Sequence, residues 1–298
     1  MATSHVIPPE FLPRENPKNI DENTDNETCI GSLFADDKDK DEQDDHPERL
    51  IQVVTVGHDQ TYTLSLPPDV GTLFAHCVWS GSLCLSDFLA RCAKDFLLHQ
   101  KTVELGAGTG LPSLVALAHG SDLSILTDYP DELVLQSLRE TVGLNWDAIC
   151  DRRTPYFPRS PPVAVVGHDW GTSVDPVVRE AMRLSHGVDK SYFDLAILSE
   201  CLWMHRSHAA LARSVDQLVH PKHGRVVLTY AHHVPGYEEE DDAFFELCST
   251  HHRLVTVHQE FRLCPYMWDD TKTITVYLRV LARPSGAQVV TGRWHFME

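Results

Sequence analysis

The sequence predicts an α/β protein built on a mostly parallel, doubly wound sheet that finishes in an antiparallel hairpin. Three observations predict it. Short apolar runs alternate with helix-length amphipathic stretches from Lys101 to His251. The first of those runs ends in a glycine loop, Gly106-Ala107-Gly108-Thr109-Gly110. The chain then closes on two β-rich runs with no helix between them.

Residues 1–48 stand apart. They carry fourteen Asp or Glu against four Lys or Arg, which is ten of the formal −18 of the chain. A polar, Pro-containing stretch of this kind buries too little apolar surface to offset chain entropy and is expected to be disordered, as a solubilising extension or an electrostatic docking arm. Residues 49–298 form the folded domain, for which 42% hydrophobic content supplies a sizeable core.

Within that domain Ile51 to Val56 and Thr61 to Leu66 flank Gly57-His58-Asp59 as a hairpin. Val78, Leu83, Leu85, Phe88, Leu89 and Cys92 recur at helical spacing and predict a helix over about Ser82 to Phe96. Thr102 to Leu105 is a strand, and Pro112 suits the first turn of a helix reaching His119. Leu123 to Leu126 repeats the strand signal before a helix over about Asp131 to Val142. Val163 to Val166, Phe193 to Leu198 and Arg225 to Leu228 are further strands, with helices near Asp175 to Leu184, Ser207 to Val219 and Asp241 to His251. Pro155 to Pro162 reads as a loop insertion, because consecutive prolines fit neither helix nor ladder. Leu254 to Phe261 and Thr273 to Val280 form the closing pair.

Composition narrows the function. An acidic chain is poorly suited to nucleic acid, where affinity comes from Lys and Arg displacing counterions, and better suited to a basic protein or a small molecule. The eight cysteines are scattered without a C-x-x-C pair or zinc-type spacing, so reduced thiols and no metal site are expected. No apolar stretch approaches a membrane span and no leader core is present at the N-terminus, so the expected setting is the cytoplasm. Without a coiled-coil pattern, a monomer is the simplest assembly.

In an open parallel sheet, ligands bind beyond the carboxyl ends of the strands. After the first parallel strand, glycines let the backbone approach a ligand, and the following helix N-terminus favours a negative group such as a carboxylate. A dinucleotide loop needs a small residue where Leu111 stands, which weakens that reading. Asp128, ending the second strand, can accept hydrogen bonds from both ribose hydroxyls, although an Asp before a helix also serves as a cap. Asp169 and Trp170, after the third strand, offer a carboxylate for an exocyclic amine and an indole for a purine, although a strand-end tryptophan can equally be core. The coincidence of three strand ends points to a nucleoside site.

With these residues in view, the chain resembles the lysine-type seven-β-strand methyltransferases of family 16. They share Glu104-Leu105-Gly106-Ala107-Gly108-Thr109-Gly110-Leu111, an acid ending the second strand, and Asp169-Trp170-Gly171. The resemblance spans about Trp79 to Val280. Val78-Trp79-Ser80-Gly81, Leu85-Ser86-Asp87-Phe88-Leu89, Gly110-Leu111-Pro112-Ser113-Leu114 and Thr127-Asp128-Tyr129-Pro130 are similar to the nicotinamide-methyltransferase-like branch. That branch includes fungal enzymes methylating the N-terminal glycine and a nearby lysine of elongation factor 1-alpha. The resemblance implies a Rossmann-like, seven-stranded class I methyltransferase sheet, S-adenosylmethionine as cofactor and that factor as protein substrate. A nicotinamide-type small-molecule N-methyltransferase and a catalytically inactive cofactor-binding scaffold remain as alternatives. Matched motif by motif, it implies cofactor contacts from Trp79, Gly106, Ala107, Gly108, Asp128, Trp170 and Ser199. Where the group reads D-x-x-Y or D-x-x-F after the fourth strand, this chain has Ser199-Glu200-Cys201-Leu202-Trp203, with a longer acid and a larger aromatic residue.

Methyl transfer from a sulfonium is an in-line displacement at the methyl carbon by a neutral nucleophile, so positioning and deprotonating the acceptor are the tasks. An N-terminal amine, with an ordinary pKa of about 7.7–8.0, is the easier substrate, and lysine at about 10.4 needs more help. Residues after the fourth and fifth strands face the acceptor. Glu200 is expected to orient the amine, with Trp203 and Tyr230 as aromatic walls tolerant of cationic groups. His232 and His233 share that region, as polar loop residues or as proton acceptors.

Overall fold

The computed structural model describes residues 50–68, 74–153, 162–185, 192–266 and 269–284. The expectations for residues 1–48 and for the insertion at 155–161 lie outside the described residues.

Strands β1 (Leu50–Val56) and β2 (Gln60–Leu66) form the expected antiparallel hairpin as a small sheet of their own, turning at Gly57 with φ +64°. The helical stretch that follows is split into α1 (Ser80–Arg91) and α2 (Ala93–Phe96). The break at Cys92 brings Phe96 against Phe88, with ring centroids 5.4 Å apart.

From β3 (Lys101–Leu105) the chain alternates through α3 (Leu111–Ala118), β4 (Leu123–Asp128), α4 (Glu132–Arg152), β5 (Val163–Gly167) and α5 (Asp175–Leu184). It continues through β6 (Leu195–Ser199), α6 (His208–Leu218), β7 (Arg225–Tyr230) and α7 (Glu238–His252), and closes with β8 (Val255–Tyr266) and β9 (Asp269–Ala282). The large sheet has seven strands in the order β5-β4-β3-β6-β7-β9-β8. The first five are parallel, and β9 pairs antiparallel with both β7 and β8. The expected fold class is therefore the observed one, with the last strand inserted between β7 and the edge strand β8.

The strands are apolar on both faces because both faces are covered. Ala196 and Leu198 of β6 enter one core cluster with α5, α6 and α7, while Leu195 and Ile197 enter another with α1 and α3. Each such Leu or Ile, fully buried, contributes roughly 1.5–3 kcal/mol.

Helix α4 runs ten residues past its predicted end at Val142. Its extra turns serve the β1–β2 hairpin. Asn145 accepts from the Thr63 amide at 2.9 Å and donates to the Thr63 carbonyl at 2.7 Å, and Thr141 accepts from the Ser65 amide at 2.9 Å. Strand β8 likewise outruns its predicted end, since an edge strand tolerates Pro265. Among the described residues, no helix is long and apolar enough to cross a membrane.

Chain order reverses between β3 and β6, the two central strands, and the parallel register aligns their carboxyl ends. Leu105 pairs with both Thr127 and Leu198, Asp128 with Gly167, and Ser199 with Thr229. A cleft opens at this switch point, as the geometry of open sheets requires.

Candidate functional site

The cleft holds about 810 Å³ of empty space, its mouth included, and is lined from four strand ends and the approach to α1. All seven expected cofactor contacts, Trp79, Gly106, Ala107, Gly108, Asp128, Trp170 and Ser199, line it, together with Glu200 and Trp203.

One half is polar. Asp128 Oδ2 accepts from the Gly108 amide at 2.6 Å and Oδ1 from the Tyr129 amide at 2.7 Å, fixing the carboxylate across the turn after β4. Burial pushes this acid up to about 6, against the two amide bonds that favour its charged form. Gly106 has φ +67°, and a Cβ there would stand 2.9 Å from Cys201 Sγ and 3.0 Å from Trp170 Cζ2, so only glycine leaves the indole its place. Asp169 Oδ1 and Ser199 Oγ are buried without a hydrogen-bond partner, and both residues line the cleft. Burial also raises the Asp169 acid. Orphaned acceptors beside an indole are what a ligand with an amine-bearing ring would satisfy.

His168 braces this half. Its Nε2 lies 2.9 Å from Ser214 Oγ, which also accepts from the Gly171 amide at 2.8 Å, so α6 pins the loop carrying Asp169 and Trp170. Burial lowers His168 to about 4, and it is a neutral structural imidazole. Deeper still, Glu104 lies fully buried under the glycine loop, with Oε2 accepting from the Ser113 amide of α3 at 3.1 Å and Oε1 unpartnered. Burial raises it to about 8, so it carries a proton at neutral pH.

The other half is aromatic. Phe74, with φ +49°, stands edge-on to Trp203 at 5.4 Å and to Trp79 at 6.2 Å, and its carbonyl accepts from Trp79 Nε1 at 3.1 Å. Glu200 lies at its base, 5% exposed and at φ +55°. Its Oε1 accepts from the Gly81 amide at 3.1 Å, and its Oε2 from the Ala231 amide at 3.1 Å and from His233 Nε2 at 2.9 Å. Three donors thus occupy most of the carboxylate's acceptor capacity.

Tyr230 is displaced from its expected place. It does not line the cleft but is buried in the core beneath α7, its hydroxyl donating to Asp242 at 3.0 Å and its ring stacked on Tyr277 at 5.2 Å. As the last residue of β7 it points to the α7 face, and Phe74 supplies the wall assigned to it. Phe74 carried no motif signal. His232 is held by Asp241 at 2.8 Å, outside the lining. Among the described residues, no three His, Cys, Asp or Glu side chains gather as a metal-binding group.

A family described as lysine methyltransferase matches residues 58–251, which contain every element from the β1–β2 turn into α7. The chain belongs to this lysine methyltransferase family. Among its similar relatives, the protein N-terminal and lysine N-methyltransferase EFM7 of Yarrowia lipolytica is 33% identical over 181 residues, covering 58% of this chain and 62% of the relative. The protein of the same name from Cryptococcus neoformans var. neoformans is 34% identical over 188 residues, covering 58% of each chain. That of Schizosaccharomyces pombe is 27% identical over 180 residues, covering 60% of this chain and 64% of the relative. The chain thus spans about three fifths of the length of the relatives it matches. A solved structure from Pyrococcus horikoshii, described as a candidate RNA methyltransferase, superposes with a TM-score of 0.50 at 15% identity over 74% of this chain and 92% of that one, a likeness of fold. In this family member, the matched segment contains both halves of the cleft, from Phe74 to Met204.

Proposed function

We propose that the chain is an S-adenosylmethionine-dependent protein N-methyltransferase acting on the N-terminal glycine, a nearby lysine, or both, of elongation factor 1-alpha. The observation that carries this reading is one cleft in which a fixed carboxylate and two orphaned acceptors adjoin an aromatic chamber with a buried anion. The relatives' shared name, protein N-terminal and lysine N-methyltransferase, supports an amine of a protein as the acceptor. The acidic balance of the chain suits a basic protein partner rather than nucleic acid, and a cytoplasmic monomer is the simplest setting for it.

When bound, S-adenosylmethionine supplies an electrophilic methyl group on a sulfonium. Asp128 would accept from the ribose hydroxyls, Asp169 and Ser199 from the base or its neighbours, and the glycine loop would let the backbone close on the ligand. Trp79 and Trp170 would form apolar walls that exclude water. On the acceptor side, Glu200 would orient an entering amine, and Trp203 and Phe74 would offer rings able to face its methylated, cationic product. The amine must lose its proton before attack, which an N-terminal amine does more readily than a lysine.

The test is to incubate the protein with labelled S-adenosylmethionine and, separately, elongation factor 1-alpha and nicotinamide, and to locate any methyl group by mass spectrometry. Label at the factor's N-terminus or an adjacent lysine supports the reading. Label on nicotinamide alone replaces it with a small-molecule N-methyltransferase, and cofactor binding without transfer replaces it with a scaffold.

A further inference from the structure

His233 lies behind the cleft rather than in its lining, and the residues it touches are the ones that shape the acceptor half. Its side chain is 6% exposed, its Nε2 meets Glu200 Oε2 at 2.9 Å, and its ring stands edge-on to Trp79 with centroids 4.9 Å apart and planes at 72°. Trp79 in turn donates to the Phe74 carbonyl, and Phe74 packs on Trp203. A continuous chain of contacts therefore runs from the Glu200 anion through one imidazole to the aromatic rings of the cleft.

We infer that His233 is a positioning residue of this cleft: as an imidazolium bound to Glu200 it holds the Trp79 indole in place as a wall, and loss of its proton releases that wall.

The buried Glu200 carboxylate accepts two backbone amides, but a buried charge also calls for a compensating charge, and His233 is the cation in contact with it. A cation within about 6 Å of an indole centroid is attracted by the ring's quadrupole, and the His233 ring centroid lies 4.9 Å away, so protonation tightens the contact with Trp79. The charged groups turned toward the pair are Glu200 from the end of β6 and Asp241 from α7, with Cys264 of β8 facing Glu200. Asp241 itself holds His205 at 2.9 Å and His232 at 2.8 Å. Burial pulls the His233 imidazole down, while the charge and hydrogen bond of Glu200, with the charge of Asp241, outweigh it and leave His233 above its ordinary value.

The sign follows. The stabilisation that the proton adds to this contact is fully present below the ordinary histidine range near 6.5 and is lost as pH rises through the raised folded value. An acceptor amine gains reactivity as pH rises, so the two titrations oppose each other and would narrow the working range. This use of the wall rests on the methyltransferase reading, whereas the proton-linked movement of Trp79 does not.

The experiment follows Trp79 fluorescence, taken as the difference between wild type and Trp79→Phe, and S-adenosylhomocysteine affinity by calorimetry, both from pH 6.5 to 9. An imidazolium beside an indole quenches its emission, so the Trp79 signal should rise through a midpoint above 6.5, and His233→Gln should abolish that midpoint. The affinity advantage of wild type over His233→Gln should fall across the same midpoint, because the proton that His233 carries below it is lost above it. A Trp79 signal flat with pH in wild type, or the same midpoint in His233→Gln, overturns the proposal. Failure to bind S-adenosylhomocysteine at any pH, with the fluorescence midpoint intact, overturns the cofactor reading and leaves the His233 latch standing.

Discussion

The Gly81 amide donates to Glu200 Oε1 at 3.1 Å, and any side chain at position 81 would collide with that oxygen, since a Cβ there would stand 2.3 Å from it. The first turn of α1 and the end of β6 are therefore fitted to one another as a pair. Gly81→Ala should cost about 2 kcal/mol through overpacking. In a Glu200→Ala background the same change should cost at least about 1 kcal/mol less, because the colliding group is gone. Urea unfolding of the four proteins of this cycle measures the coupling, and additive losses would refute the pairing.

Gly106→Ala should weaken S-adenosylhomocysteine binding tenfold or more. The new methyl group meets Cys201 and Trp170, and the φ of +67° costs an alanine about 1–2 kcal/mol besides. Isothermal calorimetry gives the affinity, and circular dichroism establishes that the variant is folded.

Glu104 makes stability fall with pH. Its folded value is about 8 against an ordinary value of 4.5, raised first by burial, with Asp128 adding to the rise against the Ser113 hydrogen bonds. A raised folded value means that the contribution is fully present below about 4.5, is lost progressively as pH climbs, and is gone above about 8. Glu104→Gln, which keeps the shape without the charge, should come closest to wild type at pH 4 and melt at a progressively higher temperature than wild type up to pH 8. Calorimetric melts at unit pH intervals check this, and parallel curves for the two proteins would contradict it.

Trp203→Ala and Tyr230→Phe should separate the two aromatic residues expected at the acceptor. Trp203 lines the cleft, so its loss should raise KM for a protein acceptor about tenfold or more while leaving S-adenosylhomocysteine affinity within about twofold. Tyr230→Phe removes the hydroxyl that donates to Asp242, away from the cleft, so it should cost about 1 kcal/mol of stability with kcat/KM unchanged. Steady-state kinetics with elongation factor 1-alpha and urea melts of both variants decide it.

The sheet was legible because strands covered on both faces are written as apolar runs, and β3 to β7 each begin within two residues of their predicted starts. The gathering of Gly106, Asp128, Trp170 and Ser199 in one cleft was legible for a related reason: parallel strands end in register, so the residues following successive runs must meet. The continuation of α4 past Val142 was hidden, because Asn145 looks like a loop residue until the hairpin edge that it bonds is present.

The sequence by itself thus determined the α/β alternation, the glycine loop and the set of strand-end residues that face one another, since each follows from local periodicity and from strand polarity. Only the tertiary structure decided which side of the sheet Tyr230 takes, that Phe74 stands in its place, and that Glu200 arrives already bound to Gly81, Ala231 and His233. The Glu200 contacts join segments up to 119 residues apart, and their geometry is set by how α1, β6 and β7 pack rather than by any pattern along one of them.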